Sequence, residues 1–120
     1  MNNLANSCII YPEKRSAIKG QTLKEFVSVL KDKLTNRVEQ AYIFGSYAKN
    51  EARDDSDIDI ILVVATNTPF FDRFKQFQDL WDITHGMDLL IYTPREFEEL
   101  FNDKTSGFWK DIAQNHIRIF

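Results

Sequence analysis

The chain has little cysteine and no long apolar run, and each of these absences argues against a class of protein. Its 120 residues include a single cysteine, Cys8, so no disulfide can form within the chain, and a lone thiol suits a reducing cytoplasm. No apolar stretch approaches the roughly 20 residues that a membrane span needs, and residues 1–20 lack a signal-peptide core. These absences predict a cytoplasmic protein without a membrane segment.

Positive charge is also in short supply. Lys and Arg number 15 against 18 Asp and Glu, which gives a net charge of −3 at pH 7. A protein that binds a long nucleic acid usually presents a basic face. The charge balance therefore argues against a long nucleic acid as the partner.

The chain does have enough apolar material for one core. Apolar residues make up 43% of it and ten residues are Phe, while its length is typical of a single domain. We divide it into an irregular N-terminal segment, residues 1–21, with a short strand at residues 8–11, and one domain, residues 22–120.

Capping boxes, helical periodicity and apolar runs predict the elements of this domain. The predicted order is helix 22–36, strand 38–44, helix 46–50, strand 56–64, helix 69–81, strand 87–92, helix 94–101, helix 106–114 and strand 116–120. Strands and helices mix without strict alternation, so the predicted fold class is α+β, with a small mixed β-sheet and flanking helices. We predict that the aromatic stripe of helix 69–81 faces the core, and any excess left exposed would mark a partner surface: Phe70, Phe71, Phe74, Phe77 and Trp81.

Two carboxylates stand in the most apolar predicted strand. Asp57 and Asp59 flank Ile58 there, although Asp is disfavoured in strands. Side chains at i and i+2 of a strand point to the same face, so the two carboxylates would lie side by side and repel each other. A hard divalent cation that prefers oxygen ligands, Mg²⁺, would relieve that repulsion.

A Gly-Ser pair precedes these carboxylates. Gly45-Ser46 follows a predicted strand and opens a predicted helix, and ten residues separate it from Asp57. A glycine lets the backbone approach a phosphate closely, and amides at a helix N-terminus favour anions. The Ser46 hydroxyl can donate to a phosphate oxygen. The segment therefore combines a phosphate-binding turn with a carboxylate pair.

In these residues the chain resembles the nucleotidyltransferase superfamily of DNA polymerase beta. Gly45, Ser46, Asp57 and Asp59 fit its Gly-Ser and Asp-x-Asp motifs, and Asp88 fits the third carboxylate, which comes from a later strand. The resemblance covers about residues 22–120 and is closest to the minimal nucleotidyltransferases, small domains that stand alone or pair with a helical HEPN protein. It implies the polymerase beta palm-like nucleotidyltransferase fold.

The resemblance also implies a reaction. Asp57 and Asp59 would hold the Mg²⁺ that binds a nucleoside triphosphate, and Asp88 would join them around a second Mg²⁺ about 3.5–4 Å away. Gly45 and Ser46 would bind the triphosphate. ATP, or another nucleoside triphosphate, would then donate its nucleoside monophosphate, AMP in the case of ATP, to an acceptor hydroxyl. The minimal group implies an antitoxin role, with the acceptor on a HEPN toxin partner, or else a homodimer.

Two basic residues lie between the motifs and are candidates for phosphate binding. Lys49 and Arg53 could neutralise phosphate charge, although surface Lys and Arg are more often only solvated. Lys49 stands where the superfamily commonly has Arg, and Asn50 stands where it commonly has Gly. Asn tolerates the left-handed backbone better than most residues, so the turn can persist.

Several alternatives stay open on the sequence alone. Asp88 could equally be a strand-start residue that is satisfied by backbone amides or by His85. His85 and His116 do not make a zinc ligand set. The domain could be a non-catalytic module that neutralises a toxin by contact alone. It could also be an enzyme that modifies a small cationic molecule such as an aminoglycoside, for which an acidic pocket is suited.

Overall fold

The computed structural model describes residues 16–120. Cys8 and the strand predicted at residues 8–11 lie outside the described residues. In chain order the elements are α1 (Leu23–Leu34), β1 (Gln40–Phe44), α2 (Gly45–Ala48), β2 (Ile58–Val63), a 3₁₀ helix (Phe70–Ile83), β3 (Met87–Tyr92), α3 (Pro94–Phe101), α4 (Gly107–Gln114) and β4 (Ile117–Arg118). No helix within residues 16–120 is long and apolar enough to span a bilayer.

Local signals place most helix boundaries where the sequence predicts them. Thr22 caps α1 in a capping box, and Thr93 caps α3 in the same way, followed by Pro94 at the first helical position. Asn36 and Asn50 adopt left-handed backbones with φ of 65° and 59°. Asn36 thereby ends α1, and Asn50 supplies the turn for which glycine would otherwise be needed.

The four strands form one mixed sheet in the order β3-β2-β1-β4. β2 is parallel to β3 and antiparallel to β1, and β1 is antiparallel to β4. The predicted α+β class with a small mixed sheet is therefore confirmed. β2 lies inside the sheet with both faces covered, which explains its nearly unbroken apolar sequence.

The first face of the sheet packs against α1 and the 3₁₀ helix. Phe26 and Leu30 of α1 are fully buried against Ile60 of β2, and each such side chain contributes about 1.5–3 kcal/mol through burial. Ala17 and Ile18 are buried in the same core. A domain start at residue 22 stays a prediction.

The second face of the sheet packs against α3 and α4. Ile61 and Val63 of β2 are buried together with Phe97 of α3 and Trp109 of α4. Tyr42 of β1 stacks on Phe97 with ring centroids 5.2 Å apart. This apolar cluster stops short of Asp59, which is only half-buried. The end of β2 that carries Asp59 therefore stays accessible.

The segment predicted as helix 69–81 differs from expectation. It is a 3₁₀ helix, and its backbone is non-helical at Phe77, with φ −128° and ψ 25°. A 3₁₀ helix has three residues per turn, so side chains spaced for an α-helical stripe are spread around it. The prediction that the whole stripe faces the core was wrong: only Phe77 is buried, while Phe71 is 85% exposed and the others are partly exposed, namely Phe70, Phe74 and Trp81.

A buried arginine joins the 3₁₀ helix to β3 and α3. The Arg73 side chain donates to the carbonyl oxygens of Thr68 at 2.8 Å and Ile91 at 3.0 Å, and to the Glu96 carboxylate at 2.6 and 3.2 Å. Glu96 also accepts from the Thr93 amide in the α3 capping box. We call Arg73, Glu96 and the two carbonyl groups the arginine cluster.

Candidate functional site

Two of the predicted site residues lie side by side on neighbouring strands. Asp59 of β2 and Asp88 of β3 are register partners across the parallel pair. Both precede side chains of the second apolar cluster on their own strands, Ile61 and Leu90 respectively, so both carboxylates point to the second face of the sheet. The strand pairing thus brings together the carboxylates of two motifs that are well separated in the sequence.

Gly45 leads the turn between β1 and α2 and lies directly against Asp59. Its φ is +71°, in the left-handed region that L side chains rarely adopt. A Cβ at this position would overlap Oδ2 of Asp59 and lie 3.0 Å from its Cγ. The antiparallel register, which pairs Phe44 with Asp59, produces this contact. Glycine is required here both for the backbone and for the space that the carboxylate occupies.

Asp57 lies just before β2, and its side chain is packed against a second glycine. A Cβ on Gly86 would overlap Oδ1 of Asp57 and lie 3.2 Å from its Cγ. Gly86 is held beside β2 because its carbonyl accepts from the Ile58 amide at 3.0 Å. Asp57 therefore depends on the absence of a side chain at the start of β3. We call Asp57, Asp59 and Asp88 the carboxylate cluster.

The negative charges of the carboxylate cluster are not balanced by a cationic side chain of the described residues. No ion pair between side chains of residues 16–120 includes any of its three members. The pKa of Asp59 is raised to about 6. Burial is the largest cause, the adjacent Asp88 carboxyl is the second, and the charge of Asp57 adds to both. An Asp held this far above its ordinary value lies in a site that favours an added cation or proton.

The cluster's chemistry fits Mg²⁺. Its donors are all carboxylate oxygens, which hard divalent cations prefer, and a cation between them would offset both the burial and the like charges that raise the pKa of Asp59. Within residues 16–120 no three Asp, Glu, His or Cys side chains already meet as a closed metal-ligand set. Binding of one ion by all three carboxylates would therefore require their side chains to move closer together.

The two predicted basic candidates lie in different surroundings. Lys49 follows α2, and its Nζ is 2.9 Å from Oδ2 of Asp111 on α4. Arg53 is exposed in the turn before β2, where its amide donates to Oγ of Ser56 at 2.9 Å. Lys49 therefore already has a carboxylate partner, whereas the described contacts of Arg53 are those of a turn residue. Phosphate binding by either of them stays a prediction.

A cavity of about 390 Å³ opens between the sheet and α4. Its walls combine the Gly45 turn and three carboxylates with an apolar side, and small-molecule sites are commonly of this size and mixed character. The lining residues are Phe44, Gly45, Asp59, Asp88, Leu89, Leu90, Phe108, Asp111 and Ile112. The cavity therefore places the Gly45 turn, acidic groups and an aromatic ring within reach of one ligand.

Three residues of this site were missed by the sequence reasoning. Gly86 could have been noticed because it stands two positions before Asp88, but its importance comes from a contact with Asp57 across two strands. Phe108 and Asp111 enter the site because α4 packs over the sheet end, which no local pattern indicates. The two histidines lie elsewhere: His116 contacts the Ile112 carbonyl at 2.7 Å, and the His85 amide donates to a backbone carbonyl.

Comparison with known proteins gives consistent results. A family model described as polymerase beta, nucleotidyltransferase matches residues 24–120. A candidate protein adenylyltransferase of Methanocaldococcus jannaschii is 36% identical over 95 residues, which cover 78% of this chain and 90% of the relative. A second candidate protein adenylyltransferase of that organism is 42% identical over 71 residues, or 58% of this chain and 69% of the relative.

Among solved structures, a candidate nucleotidyltransferase from Sulfolobus solfataricus is similar, with a TM-score of 0.47 and 26% identity. That similarity covers 63% of this chain and 68% of the other.

Proposed function

The chain belongs to the polymerase beta nucleotidyltransferase family and is a nucleotidyltransferase, and from that premise we propose that it transfers AMP from ATP to a hydroxyl group on a protein. The relatives named above as candidate protein adenylyltransferases support both the nucleotide and the class of acceptor. The observation that carries the proposal is the contact of Asp59 with Gly45 next to Asp88. It brings the Gly45 turn, to which we assign phosphate binding, and an acidic pair together in one cavity.

In this proposal each group has a defined task. Gly45 lets Asp59 lie directly against the turn that would receive the triphosphate, and the Ser46 hydroxyl would donate to one of the phosphate oxygens. Asp57, Asp59 and Asp88 would hold Mg²⁺, which, when bound, neutralises phosphate charge and lowers the pKa of a nearby hydroxyl. Asp88, exposed at the cavity, accepts a hydrogen bond from the acceptor hydroxyl and orients it.

The bond changes follow from this arrangement. The acceptor oxygen forms a bond to the α-phosphorus while the bond from that phosphorus to the bridging oxygen breaks, so pyrophosphate leaves. The hydroxyl proton passes to a carboxylate of the cluster or to water. AMP remains on the acceptor, and the protein forms no covalent intermediate, because positioning and charge stabilisation supply the rate enhancement.

Labelled ATP tests this function. We would incubate the purified protein with Mg²⁺ and a lysate of its source organism, in parallel with ATP labelled at the α-phosphate and at the γ-phosphate. Transfer of AMP labels protein only from the α-labelled sample, and mass spectrometry then identifies the modified hydroxyl side chain. The double variant Asp57→Ala, Asp59→Ala serves as the control. Label from γ-ATP that appears only when the unaltered protein is added, or undiminished α-label with the double variant, would contradict the proposal.

We propose a HEPN-type helical toxin as the acceptor, which rests on the likeness of the chain to the minimal nucleotidyltransferases. If a helical protein is encoded next to this chain, coexpression of the two should yield a partner that carries AMP on a hydroxyl side chain. A stable complex in which the partner stays unmodified would instead favour neutralisation by contact. Absence of any helical partner that copurifies would remove this acceptor but not the transferase activity.

A further inference from the structure

Phe108 is an exposed aromatic residue beside the carboxylate cluster. It lies on α4 next to Trp109, which faces the apolar cluster and is 6% exposed. Phe108 is instead 50% exposed and lines the same cavity as Gly45 and Asp59. Exposure alone does not distinguish Phe108 from the aromatic residues of the 3₁₀ helix, but its place in this cavity puts the ring where it can contact a bound ligand.

Two contacts fix the Phe108 ring in place. Its centroid is 5.8 Å from that of Phe44 and 5.4 Å from that of Trp109, both in edge-to-face geometry. The ion pair of Lys49 with Asp111 ties α4 to the end of α2. The ring is therefore held at a set position relative to the Gly45 turn, since Phe44 immediately precedes that glycine.

We propose that Phe108 is the platform on which the purine ring of the bound nucleotide stacks. A nucleoside triphosphate is the class of ligand that carries both a planar ring for Phe108 and an anionic chain for the Gly45 turn. Stacking on an aromatic side chain does not discriminate strongly among bases, because every base has a π-face. Phe108 thus contributes affinity for the nucleoside rather than selection of adenine. The inference rests on the proposed function only for the identity of the ligand.

Equilibrium binding without turnover tests the platform. The probes are α,β-methylene ATP, which cannot release pyrophosphate by the proposed cleavage, and inorganic tripolyphosphate, which has no base, each measured by calorimetry with Mg²⁺. Phe108→Leu keeps an apolar side chain without a ring, Phe108→Trp keeps a ring, and Phe71→Ala removes an 85% exposed aromatic residue of the 3₁₀ helix as a matched control.

We expect Phe108→Leu to weaken binding of the ATP analogue about tenfold and to leave tripolyphosphate binding unchanged. Phe108→Trp should bind the analogue at least as tightly as the unaltered protein, and Phe71→Ala should match the unaltered protein for both probes. Unchanged analogue binding by Phe108→Leu, or an equal loss of both probes, would overturn the inference.

The same measurements separate this inference from the proposed function. If the unaltered protein binds the analogue with the predicted dependence on Phe108 but modifies no acceptor, the proposed transfer reaction is contradicted and the stacking role of Phe108 is supported. If Phe108→Leu transfers AMP normally at low ATP concentration, the stacking role of Phe108 is contradicted and the proposed transfer reaction is supported. Thermal unfolding of each variant shows whether α4 remains packed.

Discussion

The arginine cluster and the carboxylate cluster are two groups of charges that contact the same small sheet, and their charges are balanced in opposite ways. In the first, Arg73 is 6% exposed and all of its described bonds go to acceptors that the fold supplies. Its hydrogen bond is the largest cause that lowers the pKa of Glu96. In the second cluster, burial and like charges raise the pKa of Asp59 to about 6.

The comparison distinguishes a charge that stabilises the fold from charges that we propose to act on a ligand. A cation that already has its anion contributes to the fold, because removing either partner leaves buried polar groups without bonds. Carboxylates without a cation cost free energy in the folded protein and favour an external ligand. The two clusters should therefore respond in opposite ways to substitution: loss of stability in one, loss of activity with gain of stability in the other.

The largest effect should come from Asp88→Asn. The amide keeps the size of the side chain but removes its negative charge, so we expect AMP transfer to fall about 10³-fold, which corresponds to about 4 kcal/mol of transition-state stabilisation. Binding of α,β-methylene ATP should stay measurable by calorimetry, because Gly45 and Asp59 remain. Asp32→Asn, at an exposed position of α1, is the control. Full activity of Asp88→Asn would remove this residue from the mechanism.

Arg73→Met should produce the next largest effect. It should lower stability without a direct effect on AMP transfer. Methionine fills similar space but leaves the carbonyl groups of Thr68 and Ile91 without their donor, so we expect the free energy of unfolding to fall by about 3 kcal/mol. Urea unfolding measures this loss. Lys75→Met breaks the exposed pair of Lys75 with Asp72 and should cost less than about 0.5 kcal/mol. Equal losses in the two variants would show that burial does not strengthen the arginine cluster.

Gly86→Ala should reduce activity with little change in stability. The added Cβ would overlap Oδ1 of Asp57, so the carboxylate must turn away from its present position, and we expect a loss of roughly 10- to 100-fold in kcat/KM, since catalysis depends on small displacements. Gly107→Ala is the matched control, because nothing lies within 4 Å of the Cβ that it adds. Wild-type activity in Gly86→Ala would mean that Asp57 has another productive orientation.

The fold was predictable from local signals, while the site was predictable only in part. The capping residues Thr22 and Thr93 and the apolar run of β2 carry their information within a few positions, so their elements appear as predicted. The 3₁₀ geometry of Phe70–Ile83 changed which aromatic side chains are buried, and no pattern in its sequence indicates that geometry. Asp57 and Asp59 were candidates by spacing, whereas the roles of Gly86 and Phe108 arise from contacts between distant segments.

The smallest effect should be a pH dependence of stability that originates at Asp59. Its folded pKa of about 6 lies above the ordinary value of 3.8, so the folded protein holds a proton that the unfolded chain releases between those values. Stability should therefore fall as pH rises from about 4 to about 6.

Asp59→Asn cannot ionise, so it should lose this dependence and be more stable than the unaltered protein at pH 7. The expected gain in the free energy of unfolding is about 1 kcal/mol, or about 4 °C in Tm. This figure is reduced because the side chain is partly exposed and its charge is screened by solvent. Thermal unfolding between pH 4 and 7 in the presence of a chelator measures it. Added Mg²⁺ at pH 7 should stabilise the unaltered protein and reduce its difference in stability from Asp59→Asn. The ion would supply a positive charge to the carboxylate cluster, as Arg73 does to Glu96. Parallel pH profiles for the two proteins would show that the pKa of Asp59 is not raised in the folded protein.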